Sequence, residues 1–192
     1  REEALGRTYG VSRTKIRAAL MALSKEKLVE IVPDKGAFVS RPSVQEAREV
    51  FALRRLLEAE VVRLLIATGS AAVFKTLDQH VKAERSGLAL QPAAASDTER
   101  MLGDFHVVLA ELAGNQTLAG MVRELVSRSS LIAMLYYSNN DPQCSTDEHA
   151  QLVAACRARD TAGAVALMVD HLVRIEDNLD LDNKRLPEVP DL

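Results

Sequence analysis

The sequence predicts a mostly α-helical protein, with a small helix–turn–helix head that ends in a β-hairpin wing, followed by an all-α helical bundle. Ala, Leu and Val dominate a composition that is 47% hydrophobic and only 4% aromatic, with no Trp, which favours packed helices over a β sandwich. The one β-rich stretch, LVEIVPDKGAFVS, is short and is broken by the turn signal Pro33-Asp34-Lys35-Gly36. A length of 192 residues suits one large domain or two small ones. With 27% charged residues and a net charge of -3, the chain is not a disordered polyelectrolyte. Its longest uncharged run, Ser129 to Asn140, spans 12 residues, too few to cross a bilayer, so no membrane partner is expected. Cys144 and Cys156 are too few for a disulfide framework and read as reduced thiols of a cytoplasmic protein.

Charge divides the chain. Arg1 to Arg41 holds nine Lys/Arg and five Asp/Glu, a balance of +4, whereas the remainder carries -7. A basic head on an acidic body points the head toward an anionic partner such as nucleic acid. Within the head, Glu2 to Tyr9 reads as a short helix stopped by Gly10. Val11 bridges to Ser12, a good N-cap, and RTKIRAALMALSKEKL then runs as an amphipathic helix with Ile16, Leu20 and Leu23 on its buried side. Arg13, Thr14, Lys15 and Arg17 crowd its start. A helix that enters a major groove reads bases with its N-terminal residues. Arg binds guanine bidentately, and Ser, Thr and Lys reach phosphates or base edges. Ser12, Arg13, Thr14, Lys15 and Arg17 are therefore candidate contacts to a double-stranded DNA operator. Lys35, at the hairpin tip, is a candidate for an adjacent phosphate or the minor groove.

The body reads as six helices. Ser43 caps the first, which runs to about Thr68, and Gly69-Ser70 separates it from a second over Ala71 to Leu88. QPAAAS is a loop, Asp97 opens a third helix to Ala113, and Gly114-Asn115 turns into a fourth from Gln116 to Tyr137. SNNDPQCST reads as a loop, with Thr146 capping a fifth helix over Asp147 to Ala158. Arg159-Asp160 turns into a sixth, ending near Leu179, and a polar, Pro-rich tail over 181–192 is expected to be loose. Polar residues on the inward stripes are the informative feature. His106 shares a stripe with Leu102, Leu109 and Ala113; His149 with Leu152, Val153 and Cys156; His171 with Ala164, Leu167, Met168 and Ile175. Three converging imidazoles suit a divalent transition metal such as zinc, nickel or manganese. His80, among Gln79, Lys82 and Glu84, reads as a boundary residue. Arg54 falls on a stripe with Val50, Leu57, Val61 and Leu64, and Arg128 on one with Met121, Leu125, Ile132 and Leu135. A guanidinium inside a bundle needs an anion, either an internal carboxylate such as Glu58, one turn from Arg54, or a bound small carboxylate effector.

GVSRTKIRAAL, followed by LV and a KG-containing wing, resembles the winged helix-turn-helix of GntR-type transcription regulators. The resemblance implies DNA contacts at Ser12, Arg13, Thr14 and Arg17 and a close approach of the wing at Gly36. It also implies a further helix upstream of Arg1, about 20–30 residues with its loop. RRLLE with Arg54, DFHVVLAELAGN and EHAQLVAACRARDTAGAVALMVDHL resemble the FCD ligand-binding domain of the FadR subgroup. This implies a DNA-binding head over 1–41, an effector domain over 42–180, a homodimer, and a metal held by His106, His149 and His171. The aspartate that this resemblance implies one turn before the first histidine is replaced by Leu102. Two readings stay open: a three-histidine metal site with open positions, or a metal-free pocket whose histidines bind an organic acid directly. The alternative function is a metal-dependent hydrolase, which requires a general acid or base beside the histidines.

Overall fold

Among the described residues, eight helices and one hairpin follow one another in the order that the periodicity requires. The computed structural model describes residues 2–90, 95–136 and 142–181, with backbone alone at 88–90, 95–102 and 142–144. The head comprises α1 (Glu2–Tyr9), α2 (Arg13–Lys25), β1 (Val29–Val32) and β2 (Gly36–Val39). The body comprises α3 (Val44–Thr68), α4 (Ala71–Leu90), α5 (Ala95–Leu112), α6 (Gln116–Leu135), α7 (Pro142–Arg157) and α8 (Thr161–Asp177). No described helix is long and apolar enough to cross a membrane.

Local chemistry sets the boundaries. Gly10 ends α1 in a left-handed conformation at φ 63°, and the Ser12 side chain accepts the Lys15 N–H to start α2. The antiparallel hairpin pairs Val29 with Val39 and Val32 with Gly36, and Gly36 at φ 110° needs the freedom of a residue without a Cβ. A capping box opens α3: Ser43 Oγ accepts from Glu46 N at 3.1 Å, and Glu46 Oε2 accepts from Ser43 N at 2.9 Å. Asn115 and Asp160 cap α6 and α8 through their side-chain oxygens.

In the body, α3 packs along α6 and α8, α5 lies on α6, and α4 pairs with α7. One apolar cluster fills the centre around Val61, Leu65, Leu77, Phe105, Leu109 and Met168. A second joins Val50 and Phe51 of α3 to Leu125, Ile132, Leu135 and Tyr136 of α6, and the head rests on it through Leu28 and Val39.

Two expectations are corrected. α7 begins at Pro142 rather than at Asp147, because proline suits the first helical position as well as it suits a loop. Thr146 is therefore a fully buried residue inside α7 and not its N-cap. On α2, Ile16 and Leu20 are buried but Leu23 is 37% exposed. The side chains of Leu102 and Cys144, and residues 182–192 of the tail, lie outside the described parts. Cys156 is buried, and burial pushes its thiol up to about 11, so it acts as a small apolar residue.

Leu65 is at 0% exposure in the central cluster. Leu65→Ala is expected to lower unfolding free energy by about 2–5 kcal/mol in a urea titration. A loss below about 1 kcal/mol would place Leu65 outside a close-packed core.

Candidate metal centre and nucleic-acid interface

Three imidazoles meet inside the body. His106 of α5, His149 of α7 and His171 of α8 are each no more than 4% exposed. Their Nε2 atoms converge, at 3.3 Å between His149 and His171 and 3.2 Å between His171 and His106. On its outer edge each ring presents Nδ1 to a carboxylate. Glu58 Oε2 lies 2.6 Å from His106, Glu84 Oε2 3.0 Å from His149, and Glu148 Oε2 2.6 Å from His171. An ionised carboxylate only accepts, so each Nδ1 carries a proton, and in a neutral ring Nε2 is then left as a lone pair. Lone pairs this close repel one another, and a cation between them removes the repulsion. A divalent ion with nitrogen ligands at about 2.1 Å holds them about 3.0–3.4 Å apart in octahedral or tetrahedral geometry, which matches the observed spacing. The donor set therefore fits the metal that the sequence implies. Phe105 fixes one ring further, stacking on His149 at 3.9 Å between centroids with 10° between the planes.

The electrostatics keep His106 and His171 neutral. Burial is the largest influence and lowers His106 to about 4 and His171 to about 3, against the opposing pull of Glu58 and Glu148. Burial would raise Glu58, but the Arg54 charge and the contacts with His106 outweigh it and hold the carboxyl at about 2. Glu148 is likewise held at about 2, where His171 and Arg174 overcome its burial.

Arg54 stands on the inward stripe, as its spacing predicts. Its Nε donates to Glu58 Oε1 at 2.6 Å and its Nη1 to Ser129 Oγ at 2.9 Å, while its Nη2 is buried with no hydrogen-bond partner. With the three histidines, Ser129, Ser130 and Ser145 it lines a cavity of about 40 Å³. A buried N–H without an acceptor costs about 1–3 kcal/mol, and an acceptor placed in the cavity would remove that cost.

Arg128 is a correction. It is half-buried and lines the cleft between head and body with Lys27, Arg41 and Glu46, away from the histidines. Leu125, Ile132 and Leu135 of its stripe are buried, but Met121 is 53% exposed, so Arg128 sits at the edge of the buried face and Ser129, one residue on, points inward. Sequence reasoning also misses Glu84 and Glu148, whose partners are outer ring edges rather than a helix stripe. Glu148 directly precedes His149 but serves His171 on the neighbouring helix. His80, half-buried, lies 3.5 Å from Glu84 Oε1.

On the head, Ser12, Arg13, Thr14, Lys15 and Arg17 are exposed along the start of α2, and Lys35 and Gly36 are exposed on the wing. A groove of about 650 Å³ between α1, α2 and the hairpin brings Arg13, Arg17, Lys35 and Gly36 together, and Ser12, Thr14 and Lys15 are not among its lining residues. Arg13 Nε donates to Glu2 Oε2 at 2.8 Å, and Nη1 lies 3.5 Å from Glu3, so α1 already orients this guanidinium. The acidic partners at the start of α1 are a feature that the basic-cluster reading passes over.

Residues 49–174 match the FCD domain family, and residues 1–39 match the family described as bacterial regulatory proteins, gntR family. The chain is similar to the HTH-type transcriptional repressor GlaR of Escherichia coli strain K12, at 30% identity over 177 residues, covering 86% of this chain and 78% of that protein. It is also similar to the HTH-type transcriptional regulator LutR of Bacillus subtilis strain 168, at 26% identity over 194 residues, covering 92% and 89%. Among solved structures, a GntR transcriptional regulator from Rhodococcus sp. RHA1 shares the fold with a TM-score of 0.74 at 20% identity, covering 92% of this chain and 84% of that one. Escherichia coli McbR/YncC shares it at 0.73 and 17%, covering 90% and 82%.

Neutral buried imidazoles tie stability to pH. Unfolded histidine binds a proton below about 6.5, whereas folded His106 and His171 do so only near 4 and 3. The unfolded chain therefore holds more protons between those limits. Stability present above pH 6.5 is lost as pH falls toward 4 and 3, by up to about 1.4 kcal/mol per pH unit for each histidine. Urea midpoints of metal-free protein are expected to fall between pH 7 and pH 5, with a shallower fall in His171→Gln. A flat profile in the unsubstituted protein would contradict neutral buried rings.

Proposed function

This chain belongs to the gntR family of bacterial regulatory proteins and carries its FCD domain, and from that premise we propose a metabolite-responsive transcriptional regulator whose helical body senses a small carboxylate at a three-histidine metal centre. The observation that carries the reading is the convergence of three Nε2 lone pairs beside the unpartnered Nη2 of Arg54. His106, His149 and His171 would hold zinc, nickel or manganese. When bound, the ion supplies a fixed positive charge for one carboxylate oxygen. Arg54 Nη2 donates to the other, and Ser130 and Ser145 offer hydroxyls at the rim. A cavity of about 40 Å³ suits a small acid. Arg128 has no part in this site; its place is the junction with the head.

In the head, Arg13 and Arg17 read base edges from the first turns of α2, while Ser12, Thr14, Lys15 and Lys35 hold phosphates and Gly36 lets the wing backbone approach. A cytoplasmic homodimer places two such heads on a pseudo-palindromic operator, with half-sites about 34–36 Å apart. The hydrolase alternative gains no support. Among the described side chains, Glu58, Glu84 and Glu148 all face the outer Nδ1 edges, so none stands beside the Nε2 centre as a general base.

Two measurements test the reading. Arg13→Ala is expected to lose about 10-fold or more in affinity for duplexes selected from a randomised pool, with its thermal midpoint unchanged. Equal affinity would remove Arg13 from the DNA face. Thermal shift of zinc-treated protein with a panel of two- to four-carbon carboxylates is expected to give a rise that Arg54→Gln abolishes. No rise with any acid would overturn the carboxylate site.

A further inference from the structure

The cavity and the head are joined by one helix. Ser129, Ser130 and Ala133 of α6 line the cavity, and Ser129 takes the Arg54 Nη1 hydrogen bond. Seven residues further on, about 10 Å along the helix axis, Tyr136 caps the C-terminal end of α6. Its hydroxyl donates to the Pro42 carbonyl at 2.6 Å. Pro42 lies in the four-residue connection, Ser40 to Ser43, between β2 and α3. This connection is held at both ends: Ser40 N donates to Leu28 O at 2.9 Å, and Ser43 belongs to the capping box of α3. Between them, Pro42 fixes its own φ and restricts Arg41 to extended backbone. A displacement of the Pro42 carbonyl is thus passed to the wing rather than absorbed by a loose linker.

Tyr136 is 8% exposed, and its own carbonyl accepts from Asp180 N at 3.1 Å, beyond α8. The residue therefore gathers the ends of α6 and α8 onto the linker. We infer that Tyr136 is the positioning residue through which events at Arg54 and Ser129 reach the DNA-binding head, by way of its hydroxyl and the Pro42 carbonyl. A carboxylate on Arg54 Nη2 draws the guanidinium toward the cavity and alters its bond to Ser129. The resulting shift of α6 moves the Tyr136 hydroxyl, and the stiff linker carries the movement to β2. The inference rests on the cavity being the effector site, and it names the regulatory path of that site. The competing path is apolar: Leu28 and Val39 of the head sit on the cluster that contains Phe51 and Ile132.

A double-mutant cycle separates the two paths and needs no ligand. Ser129→Ala removes the α6 acceptor of Arg54, and Tyr136→Phe removes the hydroxyl while keeping the ring in its cluster. Hydrogen exchange of backbone amides is followed by mass spectrometry over residues 28–40, with α4 as the internal control. Ser129→Ala alone is expected to change exchange over 28–40 by about two- to fivefold, and to change it no further when Tyr136→Phe is already present. Pro42→Ala, which keeps the carbonyl but frees the backbone, is expected to silence Ser129→Ala in the same way, and it serves if Tyr136→Phe fails to fold. The same factor in both backgrounds would assign the coupling to the apolar cluster and overturn the inference. No change over 28–40 in Ser129→Ala would overturn it as well. Absence of zinc or carboxylate binding would undo the effector reading and leave the result of this cycle standing.

Discussion

One buried carboxylate ties the body together. Glu58, 1% exposed, accepts from Arg54 Nε and from His106 Nδ1, each at 2.6 Å. Through these contacts α3 is fastened to α5, and through Arg54 and Ser129 it is fastened to α6. A charge taken this far from water is tolerated only because both oxygens are paired, and removing either partner costs about 3–5 kcal/mol. The same carboxylate decides chemistry. It keeps the His106 proton on Nδ1 and so leaves Nε2 as a donor to whatever occupies the centre. Glu84 and Glu148 do this for His149 and His171, so three glutamates on three helices prepare a single binding point.

The long α3 helix makes this arrangement consequential for the head. Its capping box anchors the linker at one end, and Arg54 and Glu58 reach the centre about three and four turns later. The head thus stands on two of the five helices that line the cavity, α3 and α6. The first 41 residues carry a net +4, and the rest carry a net -7.

The histidine centre was legible because a 3.6-residue period needs only one helix at a time. His106, His149 and His171 each sit on an apolar stripe, and tertiary packing then brings the stripes together. Glu84 and Glu148 were not legible, because each pairs with an imidazole on a different helix and no spacing within one element encodes that. Arg128 shares its stripe with the buried Leu125, Ile132 and Leu135 but also with the exposed Met121, so it lies at the edge of a wide buried face, and periodicity alone does not separate it from Ser129, one residue on and fully inside. The start of α7 was lost to the double meaning of proline, and with it the place of Ser145 at the cavity.

We propose that His106, His149 and His171 bind one divalent metal. Elemental mass spectrometry of untagged protein, purified without chelators, tests it most directly. The account predicts about one zinc, nickel or manganese ion per chain, and none in a variant with His106, His149 and His171 all replaced by Ala. Protein that stays free of metal after incubation with each of these ions and desalting would contradict it.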